Sequence, residues 1–191
     1  MGLPLTAGAL VLLVAGAMVL LVARRRLVVV RVQGDSMVPA YRSGDRVLVL
    51  RTRKPRFQRS QVVVFQGVLP GGVWRTGALP ALDGTMWLLK RVAAVPGDQV
   101  PAAARRSADD PRPGSGQYPT LAETIPAGLL LTPGEIVPAG RLVVLGDGPV
   151  SEDSRDWGYL PMDRVLGVVI RKLATAVDSG VPARRAGTPE S

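Results

Sequence analysis

The sequence predicts an all-β domain preceded by a single apolar helix, and three observations predict it. From residue 27 onward the apolar residues fall into short, β-branched runs, each closed by Gly, Pro, Asp or Ser. No stretch in that region keeps a 3.6-residue apolar period over three turns. Ahead of it stands an uncharged run, Leu5 to Ala23, unlike anything later in the chain.

That first run, LTAGALVLLVAGAMVLLVA, has with the residues before it the roughly 20 apolar positions a helix needs to cross a bilayer. A cleaved export signal would open with basic residues and close on a small-residue cleavage motif. Here no Lys or Arg precedes the run, and Arg24, Arg25 and Arg26 end it, so a permanent span is predicted. Strands are expected at LVVVRV (27–32), DRVLVL (45–50), QVVVF (61–65), MWLLKRVAAV (86–95), RLVVLG (141–146) and VLGVVIRKL (165–173). Residues 100–140 are rich in Pro, Ala and Gly and lack pattern, which predicts an irregular insertion. The end of the chain, VDSGVPARRAGTPES, reads as a flexible tail. The expected division is therefore an anchor with its basic stop at 1–26, a β-rich domain at 27–175 and a tail at 176–191.

At 191 residues the chain suits one packed domain, and 47% hydrophobic residues can fill its core. It contains no Cys and no His. Thiol nucleophiles, Cys/His zinc sites, HExxH metalloprotease chemistry and Ser-His-Asp triads are thereby excluded. Neither a metal nor an organic cofactor is expected. The net charge of +9 is concentrated: residues 24–59 hold eleven Lys/Arg against Asp35 and Asp45, and the remainder balances. A basic block directly after an apolar run suits anionic lipid headgroups, at roughly 1 kcal/mol per basic residue. Nucleic acid is the competing partner for such a patch, but no nucleic-acid reading motif accompanies it, and none is expected to bind.

Three fragments carry residues able to do chemistry. In QGDSMVPAYRSGDRVLV (33–49), Ser36 lies on a sharp bend after a strand, where a nucleophile is exposed on a fixed backbone; a plain turn serine reads the same way. In WLLKRVAAVPGD (87–98), Lys90 is one of only three lysines against 21 arginines and stands among Trp87, Leu88, Leu89 and Val92. A desolvated Lys can lose its proton near neutral pH whereas Arg cannot, so an apolar niche suits a general base. A lysine pointing outward from a strand is the alternative. In LGDGPVSEDSRDWG (145–158), Asp147, Ser151, Asp153, Ser154 and Arg155 crowd into one loop that could lock itself by ion pairs or form a polar surface turn.

Taken in order, GDSMVP, SGDRVLV, KRVAAVPGD and GDGPVSEDSR resemble the sequence boxes of the type I signal peptidases, serine peptidases that use a Ser/Lys dyad. The resemblance runs from about residue 30 to 170 behind a membrane span. It implies antiparallel, partly barrel-like sheets, Ser36 as nucleophile, Lys90 as general base and Ser151 as the hydroxyl that orients the lysine amine. Asp147, Asp153 and Arg155 would match the family's structural salt-bridge cluster. Two positions depart from the family pattern. Gly34 stands where some members have a serine that donates to the oxyanion, and Gly148 where an Asn is usual.

The activity so implied is that of a membrane-bound serine endopeptidase removing signal or leader peptides from exported or precursor proteins, the substrate bound as an added β-strand. Only about a dozen residues separate Ala23 from Ser36, so the site is expected close to the bilayer, with the apolar surface of Met37, Val38 and Pro39 against lipid. A self-cleaving repressor shares the Gly-Asp-Ser-Met turn and a Lys base, but would carry a DNA-binding domain in place of the span. An inactive, membrane-tethered peptide-binding scaffold would have no use for the Ser36/Lys90 pair. Orientation is read two ways. The arginines after the span favour a cytoplasmic domain, whereas the resemblance places a single-pass protein's catalytic domain outside the cell membrane.

Overall fold

The β-branched runs become strands of one antiparallel sheet, and the apolar N-terminal run becomes a helix. A computed structural model describes residues 3–52, 56–69, 73–81, 87–105, 131–149 and 151–174. Helix α1 (Leu3–Arg26) leads without a linker into β1 (Leu27–Arg31), followed by β2 (Arg46–Arg51), β3 (Val62–Gln66), β4 (Trp87–Ala94) and β5 (Arg141–Leu145). A one-turn helix α2 (Ser154–Trp157), the two-residue β6 (Leu160–Pro161) and β7 (Val165–Ala174) complete the order. All six predicted strands are present. The sequence did not announce α2 and β6, which are too short to carry a period.

The sheet order is β1-β2-β7-β3-β4-β5-β6. The sheet is open and does not close on itself, which corrects the barrel-like part of the expectation; β1 and β6 are its two ends. In mid-sheet, β3 is buried along its whole length because apolar layers cover both its faces. Val63 and Phe65 point into a cluster with Phe57, Val92, Leu142, Val144, Trp157 and Leu160. Val64 points the other way, toward Val32, Val47, Val49 and Leu166. With so few aromatics, three rings anchor the first cluster: Trp74 stands edge-on to Trp157, centroids 5.2 Å apart, and Phe65 lies 5.8 Å from Trp157.

Among the described residues no helix is long and apolar enough to cross a membrane. The predicted span at 5–23 draws on the side chains of 5–7, 19, 22 and 23, which lie outside the described residues. So do most of the expected insertion (106–130) and the tail (175–191). Met37 is not a lipid-facing residue: it is buried, with Val38 half-buried beside it, because the turn folds it under β1.

Candidate active site

Three segments converge: the turn after β1, the middle of β4 and the loop from β5 to α2. The turn is built by glycine and by local hydrogen bonds. Gly34 has φ 80°, a left-handed conformation that a serine would enter only with strain, which accounts for its glycine. Val38 N–H donates to the Asp35 carbonyl at 3.1 Å and Tyr41 N–H to the Met37 carbonyl at 2.9 Å, fixing the backbone around Ser36.

The third segment clamps that turn from outside. Gly148 N–H donates to the Ser36 carbonyl at 3.0 Å. A Cβ on Gly148 would lie 2.6 Å from the Asp35 carbonyl oxygen, so no side chain fits where the resembling family commonly has Asn. A Cβ on Gly146 would lie 2.6 Å from the Ser36 carbonyl oxygen and 1.9 Å from Ser151 Oγ. The backbone of Ser36 and the hydroxyl of Ser151 thus press on the same small volume.

Lys90 enters from β4. The strand register sets it opposite Val63, on the face shared by Leu88 and Val92, so strict alternation turns Trp87, Leu89 and Arg91 to the other face. Its side chain is 2% exposed, and Nζ donates to Ser151 Oγ at 2.9 Å. Burial pulls the amine down from the ordinary lysine value to about 8, against the opposing pull of Asp153, Glu152 and Asp156. Roughly a tenth of the amine is then neutral at pH 7, compared with well under a thousandth for an exposed lysine.

The expected salt-bridge cluster is divided in two. Asp153, fully buried, takes Arg155 Nη2 at 2.6 Å and Nε at 2.9 Å, and accepts from Gly146 N–H at 2.9 Å. Burial alone would raise its pKa, but the arginine and backbone donors outweigh that and hold the carboxyl below the usual range. Asp147 turns away and binds Arg91 through two hydrogen bonds, 2.8 and 2.6 Å long. The reason is local: Arg155 sits two residues from Asp153 at the start of α2, whereas the backbone at Asp147 faces β4.

Sequence reasoning overlooked the device that holds this loop. Asp153 caps α2 and Asp156 returns the bond, accepting from Asp153 N–H at 2.9 Å, while Ser154 Oγ accepts from Val144 N–H in β5 at 2.9 Å. The signal was present as Asp-x-x-Asp ahead of Trp157, with the acid one carbon shorter than the common Glu. Beside the three segments lies a small open cleft lined by Val30, Arg31, Gln33, Ser36, Met37 and Trp87 among others. Among the described residues there is no His/Cys/Asp/Glu group able to hold a metal ion.

The site therefore brings a buried, partly neutral amine beside the Ser151 hydroxyl and, against the same loop, a turn serine that lines a cleft of mixed polar and apolar residues. Comparison with known proteins agrees at the level of family. The profile described as "Signal peptidase, peptidase S26" matches residues 5–173. No curated protein matches the chain significantly.

Proposed function

The chain belongs to the S26 signal peptidase family, and from that premise we propose that it is a membrane-anchored serine endopeptidase with a Ser36/Lys90 dyad. Membership makes it a peptidase acting on a precursor protein that bears a signal peptide. The dyad is supported above all by one observation, the buried Lys90 amine held 2.9 Å from Ser151 Oγ beside the clamped Ser36 turn.

In the proposed reaction Ser36 Oγ attacks the scissile carbonyl carbon while neutral Lys90 takes the hydroxyl proton. The Ser36 backbone N–H meets the developing oxyanion. Breaking the C–N bond sends the amine out with the proton returned by Lys90. Water then attacks the acyl-enzyme and gives its proton to Lys90, which returns it to Ser36 Oγ as the acyl C–O bond breaks, releasing the new C-terminal acid and restoring Ser36 and neutral Lys90. Ser151 accepts one N–H of the lysine and so leaves the amine's lone pair to point at the nucleophile.

The anchor is proposed to be α1. Its 24 residues make a rod of about 36 Å, longer than the roughly 30 Å hydrocarbon core. Leu10 to Val14 are more than half exposed, a state that lipid would relieve. The catalytic domain is proposed to lie on the extracytoplasmic side.

The test mixes the detergent-solubilised chain with precursor peptides and maps cuts by mass spectrometry. Ser36→Ala, Lys90→Ala and the double variant are expected to fall to one common floor, because residues acting as a unit are not additive. Substantial cleavage by Lys90→Ala would remove the lysine from the mechanism.

A further inference from the structure

We propose that a basin at the β5–β6 end of the sheet binds the phosphate group of a soluble small molecule. The basin, of about 390 Å³, is lined by Trp74, Arg75, Arg141, Pro161, Asp163 and Arg164 among others, a size in the range of small-molecule sites. Three parts of the chain form it: the stretch through Trp74 and Arg75, the first residue of β5, and the single 3₁₀ turn Met162–Arg164 that joins β6 to β7. Arg141 opens β5 opposite Pro161 of β6, whereas the loop that clamps Ser36 leaves from the other end of that strand. No described residue lines both the basin and the Ser36 cleft.

Arg164 is buried here, 3% exposed, without a buried counter-charge. Its Nη2 donates to the Gly77 carbonyl at 2.6 Å and to Asp163 at 3.0 Å, and Nη1 reaches Gln66 Oε1 only at 3.4 Å. Its buried Nε has no acceptor among the described residues. Asp163 is a weak counter-ion, because its side chain is 71% exposed and water screens it. Burying a guanidinium is costly unless an anion and a full set of hydrogen bonds offset the lost hydration. An anion seated in the basin would supply what Asp163 does not.

The charge around Arg164 points to phosphate. Arg75 and Arg141 bring two further guanidiniums to the basin, and no carboxylate among the described residues pairs with either. Three arginines against the one carboxylate of Asp163 leave two positive charges in excess. A phosphate monoester, with about −1.5 to −2 charge at pH 7 and three acceptor oxygens, complements them. A planar carboxylate engages one guanidinium fork and would leave the others unneutralised. Trp74 and Pro161 set an apolar wall beside the charges, a place for the organic part of an ester. Position favours a soluble source over a lipid headgroup, because β6 is the end of the sheet opposite β1, which continues directly from α1.

The test titrates the full chain, in uncharged detergent at constant ionic strength, with inorganic phosphate and with phenyl phosphate. Binding is followed by calorimetry and by tryptophan fluorescence, since Trp74 stands in the basin wall. Saturable binding with a Kd of about 1 mM or tighter is expected, with a melting temperature that rises as phosphate is added. Arg75→Gln and Arg141→Gln, at exposed and half-buried positions, should each weaken binding about tenfold. Arg46→Gln, the same loss of charge on an exposed residue of β2, should leave it unchanged. Arg164→Gln should abolish binding, and the two rim variants decide the question if that protein does not fold. Failure to saturate by about 20 mM phosphate overturns the proposal, as does equal weakening by Arg46→Gln, which would mean bulk charge in place of a site. Competition by acetate or a triglutamate peptide as strong as that by phosphate would make the basin a carboxylate site. A response confined to micelles containing phosphatidic acid would make it a lipid site, and either result overturns the proposal.

Discussion

At the scale of single residues, chemistry turns on how cheaply Lys90 gives up its proton. Burial sets its pKa near 8 even though three carboxylates within range favour the charged form. The sign is unambiguous: the base works only when neutral, so kcat/KM should climb as pH rises through about 8 and level off above it. A rate–pH profile from pH 6 to 10 checks this, and a limb that rises only near pH 10 would mean that an exposed group takes the proton. Lys90→Arg should be inactive although the charge is kept, since arginine does not surrender its proton. Ser151→Ala leaves the amine without its acceptor; a loss in kcat of about 10²-fold with little change in KM is expected for a residue that only orients the base. Here the sequence was informative. Three lysines among 24 basic residues single out Lys90 once it is seen in an apolar strand. What could not be read was the partner of each acid, because Asp147 and Asp153 differ only in which way the loop backbone turns.

At the scale of elements, the loop from β5 to α2 acts as a clamp whose tolerance is set by two glycines. Gly146→Ala would drive a methyl group against Ser151 Oγ and the Ser36 carbonyl, and backbone cannot move aside as a flexible side chain does. Activity should drop on the order of 10²-fold, as expected for a displacement near 1 Å at reacting groups, and the overpacking should cost about 1–3 kcal/mol of stability as well. Gly167→Ala tests the sheet instead. Its methyl would meet the Leu50 carbonyl oxygen of β2 at 2.2 Å, so the variant should lose about 1–3 kcal/mol of stability in urea unfolding, as overpacked sites do. Wild-type stability for Gly167→Ala would show that β2 and β7 can separate freely there. The six longer strands were legible because β-branched runs between Gly and Pro leave no other assignment. The open sheet was not, since closure depends on whether β1 and β6 meet, a long-range fact with no local sequence signal. Nor was α2 legible: one turn of helix held by an Asp153/Asp156 capping box carries no period to detect.

At the scale of the whole molecule, the charge rule and the family resemblance disagree about which side of the membrane the domain occupies, and the range of the charge rule bears on the choice. The rule that basic residues stay cytoplasmic is counted over short flanking loops; long segments and folded domains cross largely regardless of charge. Here the segment after α1 is a folded sheet running to Ala174, and Arg31, Arg46 and Arg171 lie on one of its faces rather than in a loop. A peptidase that removes signal peptides must also meet its substrate where the precursor emerges, so the domain is expected outside. A cysteine placed at Ser191, in a chain otherwise free of thiols, should react with a membrane-impermeant maleimide on intact cells to the same extent as after lysis. Labelling that appears only after lysis would put the domain in the cytoplasm and would make the three arginines at the end of α1 the dominant determinant of topology. In that case the Ser36 cleft would open toward precursors before export, and cleavage of a co-expressed precursor should precede its appearance outside the cell.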